Sequence, residues 1–325
     1  MNTTLCCKQR NLYSIRMYLI LLSVISIPIW AADEITGDWD IHMDFGGRQS
    51  LASLSIAQKS DGTLRGWWGA GEVADIRFDN SMLTFVRTVR WGDKGFTLNY
   101  QGTLRDGRLI GMLFNDRGEF SANGVRPQPK SPVLGQWRVA MGPGDQALLT
   151  VSEKLDGTLH GMWTQQGREL PLAEVTYENS RLTFVYEASR GDHKRVSTFA
   201  GTISGHILKG QFVYRADEGP VRAKRIGADL IGKWLLTSSS DWGTRTRLLT
   251  VYGDLTGRYE SFGGELPIDA IEVDGDQISV HIEMSFGDRT FVTDYQATLK
   301  TGQLEGELTT SKGMRTLTGK RMISE

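Results

Sequence analysis

The chain has two cysteines in 325 residues, and both, Cys6 and Cys7, precede an apolar run from Met17 to Trp30. Past that run no disulfide, thiol nucleophile or cysteine-ligated metal is available. The five histidines, His42, His160, His193, His206 and His281, share no motif, and none has a ligand-spaced partner, so no metal site is expected. Neither charge sign is in excess: 37 Lys and Arg against 38 Asp and Glu leave a formal charge of −1. That balance gives no electrostatic footprint for nucleic acid. No later apolar stretch is long enough to span a bilayer, so no membrane span is expected in the mature chain. Serines are common, yet no nucleophile-elbow pattern surrounds them. Nothing in the pattern calls for a cofactor, and no catalytic residue is assigned.

The first 32 residues are of a different kind. Lys8, Arg10 and Arg16 lead into the Met17–Trp30 run, which ends on Ala31 and Ala32. A basic flank, a short apolar core and small residues at its end predict a signal peptide over 1–32, with an anchor helix as the alternative. The mature protein is then exported, periplasmic or extracellular, with a formal charge of about −4.

What the remainder does have is repetition. Gly37-Asp38-Trp39 returns as Gly135-Gln136-Trp137 and Gly232-Lys233-Trp234, a period of about 97 residues. Leu54-Ser55-Ile56 matches Leu149-Thr150-Val151 and Leu249-Thr250-Val251. Gly62-Thr63-Leu64-Arg65-Gly66 matches Gly157 to Gly161 and, after a deletion in the preceding turn, Gly253 to Gly257. Gly111, Gly210 and Gly306 fall in register, and the copies end on Arg126, Arg225 and Arg321. Turn signals such as Asp61-Gly62, Asp79-Asn80, Gly92-Asp93 and Asp106-Gly107 cut copy one into eight short runs, and such pairs favour tight hairpins.

Period-two alternation sorts those runs into faces. Trp39, Ile41, Met43 and Phe45 fall inward, followed by Leu54, Ile56, Leu64, Trp68, Phe85, Tyr100, Leu104, Leu109 and Leu113. Asp38, Asp40 and Asp44 fall outward, which predicts a solvated exterior. Eight short strands either expose two edges or close on themselves, and closure abolishes edges. The expected fold is all-β: three tandem eight-stranded up-and-down antiparallel barrels, mostly filled, after the signal segment. Barrels are expected at 35–126, 134–225 and 231–322, with a Pro-rich linker at 127–133 acting as a stiff spacer. The short connection from Ile226 to Ile231 predicts that barrels two and three pack together, with a cleft between them.

The Gly-x-Trp that opens each copy, with an arginine about 87 residues further on, resembles the calycin pattern of lipocalins. With Gly-x-Leu-x-Gly, Leu-x-Phe and Leu-x-Gly between them, the copies are similar to small lipocalin-like modules of secreted bacterial proteins. The resemblance implies structural latches in which the arginine packs across the tryptophan: Trp39 with Arg126, Trp137 with Arg225, and Trp234 with Arg321.

Candidate binding residues are few. Trp67 is outward on its strand, and Trp91 flanks the Gly92-Asp93 turn; each could stack on a sugar, anchor a protein partner or pack against a neighbouring barrel. Ser238 and Ser240 follow Trp234 on the inward parity, predicting either a small polar pocket or a mouth open to water. Two function classes stay open. One is a non-catalytic binding or accessory protein that recognises a small molecule, glycan or protein through barrel rims and interdomain clefts. The other is a hydrolase-type enzyme of unrecognised class with a polar site at a barrel mouth.

Overall fold

The computed structural model describes residues 34–322 apart from 92–93, 117, 143, 191–192, 214–219, 241–242, 262–263 and 287–288. The signal segment expected at 1–32 lies outside the described residues. Every element is a β-strand, and the strands form three consecutive antiparallel meanders. In each meander the first strand pairs with both the second and the last. Gly37–Asp44 lies between Gln49–Gln58 and Gly118–Val125. Gly135–Gly142 lies between Asp145–Glu153 and Pro220–Arg225, and Gly232–Ser240 between Gly243–Val251 and Gly313–Arg321. This return pairing covers the edges that a meander would otherwise expose.

The second barrel is closed by eight strands, whereas the first and third are nearly closed sheets of nine. The ninth arises because the fourth strand divides. In the first barrel Gly71–Glu72 stays on Leu64–Trp68 while Ala74–Asp79 crosses to Met82–Trp91, and the Val73 N–H still donates to the Gly66 carbonyl at 2.9 Å. In the second, one strand, Arg168–Glu178, serves both neighbours through an irregularity between Ala173 and Thr176. Asp75 and Glu174 mark the same bend with positive φ of 52° and 51°. Such irregularities turn a strand around a barrel corner.

The barrels are filled by their inward side chains. In the first, Trp39, Ile41, Leu54, Leu83, Tyr100, Leu109 and Leu113 are at most 1% exposed. Phe85 and Tyr100 stack at 4.6 Å, and their counterparts Phe184 and Phe199 stack at 4.7 Å. Gly102 and Gly111 are where they are because a Cβ at either would collide with the Tyr100 ring.

The third barrel packs against the flank of the first, a contact that the linear order of the copies does not suggest. Asp38 and Asp40 do point outward and Asp38 stays exposed, but the expected solvated exterior is wrong for Asp40 because the third barrel covers it. Arg258 grips Asp40 with both terminal nitrogens, at 2.5 and 3.0 Å, and Asp40 is 7% exposed. Lys233 reaches Asp38 at 2.5 Å and Ser55 at 2.8 Å. The strand Gln49–Gln58 outruns its neighbour, because their ladder stops at Leu54 opposite Trp68. Glu265 of the third barrel accepts the Ser53 N–H just beyond that point, at 2.9 Å, capping the edge.

The second barrel meets the third at its latch end. Arg225 donates to the Gly253 carbonyl at 2.7 Å, and a Cβ at Gly135 would strike that same carbonyl. Lys130, in the Pro-rich linker, binds Asp254 at 2.7 Å and Thr256 at 2.6 Å. Lys130 thus ties the 127–133 segment to the third barrel.

Candidate functional site

At the base of each barrel the indole N–H of the first-strand tryptophan donates to a carbonyl four residues upstream. The pairs are Trp39 to Ile35 at 2.9 Å, Trp137 to Val133 at 2.9 Å and Trp234 to Leu230 at 2.6 Å. Guanidiniums lie over the ring faces: Arg126 3.8 Å from Trp39, Arg225 4.1 Å from Trp137 and Arg321 4.7 Å from Trp234. Arg126 also donates to the Asp38 and Glu34 carbonyls, and Arg321 to those of Ile231 and Asp229. Arg225 donates to the Leu134 and Pro132 carbonyls and, being covered by the third barrel, is 4% exposed. Desolvation there lowers its pKa to about 10.

The four candidate binding residues are scattered. Trp67 is half-buried on the outer wall under the Arg65 guanidinium, 4.7 Å from its ring, and Arg65 is itself held by Glu72 at 2.7 Å. Trp91 ends its strand opposite Lys94, and its side chain lies outside the described set. Ser240 donates to the Gly243 carbonyl at 3.3 Å, closing its own hairpin, while Ser238 pairs with Arg245 across the ladder. None of the four lines the cleft between the second and third barrels or the mouth of the first.

That cleft, of about 370 Å³, is lined by Arg138, Arg222, Lys224, the 226–230 connection, Asp276 and Leu299. Apart from the buried latch Arg225, its charges face water. Lys224, for one, has Asp229 at 3.9 Å with both side chains well exposed, an arrangement worth little in affinity.

The mouth of the first barrel, at the end away from its latch, is built differently. Here a cavity of about 200 Å³ is walled by Met43, Phe45, Ala52, Leu98 and Leu113, with Trp68 and Arg87 among its polar lining. Glu260 and Glu265 of the third barrel form its roof. Trp68 is 1% exposed, yet its indole N–H has no hydrogen-bond partner. The Arg87 guanidinium lies 5.1 Å from the Trp68 ring, and desolvation lowers its pKa to about 10.

The repeat supplies an internal control. Trp68, Phe85, Arg87, Tyr100 and Leu113 correspond to Trp163, Phe184, Tyr186, Phe199 and Phe212. In the second barrel Phe212 packs edge-on against Trp163 at 5.5 Å and against Phe199 at 5.2 Å, and Tyr186 closes on both Trp163 and Phe212. There the Trp163 N–H meets Gln165 at 3.4 Å, and Gln165 is itself bonded to Asp145. In the first barrel Ala70 stands where Gln165 does, so the equivalent indole has no amide to meet. Leucine for phenylalanine and arginine for tyrosine then trade an aromatic plug for a cavity with a cation in it.

In the third barrel the same layer holds Tyr259 and Tyr295, 5.4 Å apart, and burial raises the pKa of both hydroxyls. Glu260 reaches from there to the first barrel, where its carboxylate accepts the Ala70 N–H at 2.9 Å as well as that of Leu248 at 3.1 Å. Burial raises the pKa of Glu265, whose second carboxylate oxygen has no hydrogen bond and lies 3.8 Å from Arg258.

Among the described residues no helix is long and apolar enough to cross a membrane, and no cluster of metal-ligating side chains forms. No family model and no curated protein matches the chain. Solved structures do overlap it. A Bacteroides fragilis protein provisionally named as an outer membrane protein is 14% identical over 60% of this chain and 99% of its own, with a TM-score of 0.24. A Nostoc punctiforme protein of unknown function from the DUF3598 family is 11% identical over 90% and 98%, with a TM-score of 0.20. A double mutant of transferrin binding protein B from Haemophilus parasuis is 10% identical over 87% and 74%, also at 0.20. At such scores the overlap carries no argument about activity or partner.

Proposed function

We propose that this chain is an exported, non-catalytic binding protein of the lipocalin-like kind that takes a small molecule into the mouth of its first barrel, beneath the third. One observation carries the reading. On a scaffold repeated within the same chain, the second barrel's mouth is plugged by Phe212 and Tyr186, while the first keeps a cavity with one apolar wall and an unpartnered indole N–H. A buried donor left without an acceptor costs about 1 to 3 kcal/mol, and a ligand acceptor would recover it. Screening the full chain and its Leu113→Phe variant by thermal shift tests the proposal. Ligands that stabilise the parent and lose their effect in the variant support it, whereas ligands indifferent to the plug place binding elsewhere.

A second reading, recognition of a protein partner, is favoured by the outer wall of the first barrel. Ile110, Met112 and Phe114 stand in one exposed row, 57%, 43% and 36% accessible, where the third copy carries Glu305, Glu307 and Thr309.

A further inference from the structure

We infer that the occupant of the first barrel's mouth is a compact monoanion, a carboxylate on a short apolar tail, seated with its oxygens between the Arg87 guanidinium and the Trp68 indole N–H. This inference rests on the small-molecule reading above and adds the chemical class. Its first support is a pair of unanswered donors that face each other across the cavity. Arginine offers five donors and no acceptor, and indole one donor and no acceptor. Among the described residues Arg87 makes no hydrogen bond and has no carboxylate within ion-pairing distance, and the Trp68 N–H is unpartnered.

The two carboxylates of the roof form no hydrogen bond to either donor, although Glu260 acts on Arg87 electrostatically from beyond ion-pairing distance and one Glu265 oxygen is itself without a hydrogen bond. Glu260 accepts from Ala70 and Leu248, and Glu265 accepts from Ser53 beside Arg258. Desolvation of Arg87 sharpens the point: a cation withdrawn from water is stabilised by an anion brought to it, and a charge-assisted contact to a carboxylate is the strongest kind available to it.

The second support is shape. Met43, Phe45, Ala52, Leu98 and Leu113 form the first barrel's apolar side of the cavity, opposite the polar rim of Arg48, Ser50 and the third barrel's Glu260, Ser261 and Glu265, so a hydrocarbon tail has an apolar wall to pack on. About 200 Å³ is below the usual range for drug-sized ligands and suits a short-chain acid rather than a long lipid. The third support comes from the second barrel, where protein groups already fill both roles. Gln165 supplies the acceptor for its indole, and Phe212 supplies the apolar bulk. A carboxylate with a short tail would occupy the space of that pair of side chains.

The experiment is calorimetric titration of the full chain with hexanoate, hexanol and hexylammonium, with tryptophan fluorescence as a second readout. Hexanoate should bind at one site per chain, roughly tenfold or more tighter than hexanol, with hexylammonium weakest. Arg87→Gln should remove that preference while leaving hexanol binding within about threefold. Ala70→Gln, which gives the indole an internal acceptor, should weaken hexanoate by roughly tenfold and keeps the test open should Arg87→Gln fail to fold. Equal affinity for hexanoate and hexanol, with both abolished by Leu113→Phe, would overturn the anion while sparing the cavity. Binding that survives Leu113→Phe, or no binding by any of the three probes, would overturn both.

Discussion

The first and second barrels are built from the same repeat, and they differ where a repeat is free to differ. Their latches match residue for residue, and their stacked aromatic pairs differ only in the hydroxyl of Tyr100, where the second barrel has Phe199. At the mouth, Leu113 and Ala70 replace Phe212 and Gln165, and Arg87 replaces Tyr186. On the first strand's outer face Asp38 and Asp40 replace Gln136 and Arg138, and the acidic pair meets Lys233 and Arg258 of the third barrel, with Asp40 buried there and Asp38 still exposed. The two departures belong together. The third barrel that neutralises Asp38 and Asp40 also lays Glu260 and Glu265 across the first barrel's mouth. One copy thus conserves the filled form, and the other has given up packing for a roofed cavity.

If that contrast is right, the largest effect should come from emptying the second mouth. Phe212→Ala removes a ring that touches Trp163, Phe184, Tyr186 and Phe199. We expect a loss of about 3 to 5 kcal/mol in chemical denaturation of that barrel. The reciprocal change, Leu113→Phe, fills existing space, so it should shift stability by less than about 1 kcal/mol, whereas an already packed site would lose about 1 to 3 kcal/mol. A large loss in Leu113→Phe would erase the distinction between the two mouths. Next comes the flank. Arg258→Ala leaves Asp40 buried without its cation, and removing one partner of a buried pair costs about 3 kcal/mol, less here because Arg258 is one-quarter exposed. Hydrogen exchange should then speed up at the Ser53 and Ala70 amides, which donate to the third barrel's carboxylates. Unchanged exchange there would mean that the seam does not depend on this pair.

Most of the fold is legible in the sequence because repetition exposes parity. Gly-x-Trp, the in-register glycines and the closing arginines recur, and period-two alternation assigns the inward face that the barrels bury. The split of the fourth strand is not legible, since nothing in the residues around Val73 distinguishes a divided strand from a bent one. The candidate site is far less legible. Trp67, Trp91, Ser238 and Ser240 stand out within a copy, whereas the cavity is made of ordinary residues that matter by difference between copies. Arg87 is the available signal: a cation on the inward parity after Leu83 and Phe85, where the second copy has Tyr186. The seam between the first and third barrels cannot be read at all, since contact between copies that are not adjacent in the chain leaves no local pattern.

The smallest effect separates the third barrel's two seams by pH. Asp254, which joins the second barrel through Lys130, loses favour by desolvation, but its bonds from Lys130 and Thr256 outweigh that and lower its pKa. A lowered folded-state pKa contributes stability that is present above the ordinary value of about 4 and is lost as the pH falls through the folded value. Glu265, at the first-barrel seam, is raised by desolvation despite its bonds from Ser53. Its sign is opposite: the folded state holds the proton more tightly, so its contribution is greatest at low pH and declines as pH rises through the folded value. Acidification below about pH 4 should therefore loosen the contact between the second and third barrels first, by no more than about 1 kcal/mol, since the Lys130 side chain is 40% exposed. Amide exchange in the 253–256 turn against that at Ser53, tracked from neutral to acid pH, measures it. Parallel loss at both places would show that the two carboxylates titrate alike and that the seams are not electrostatically distinct.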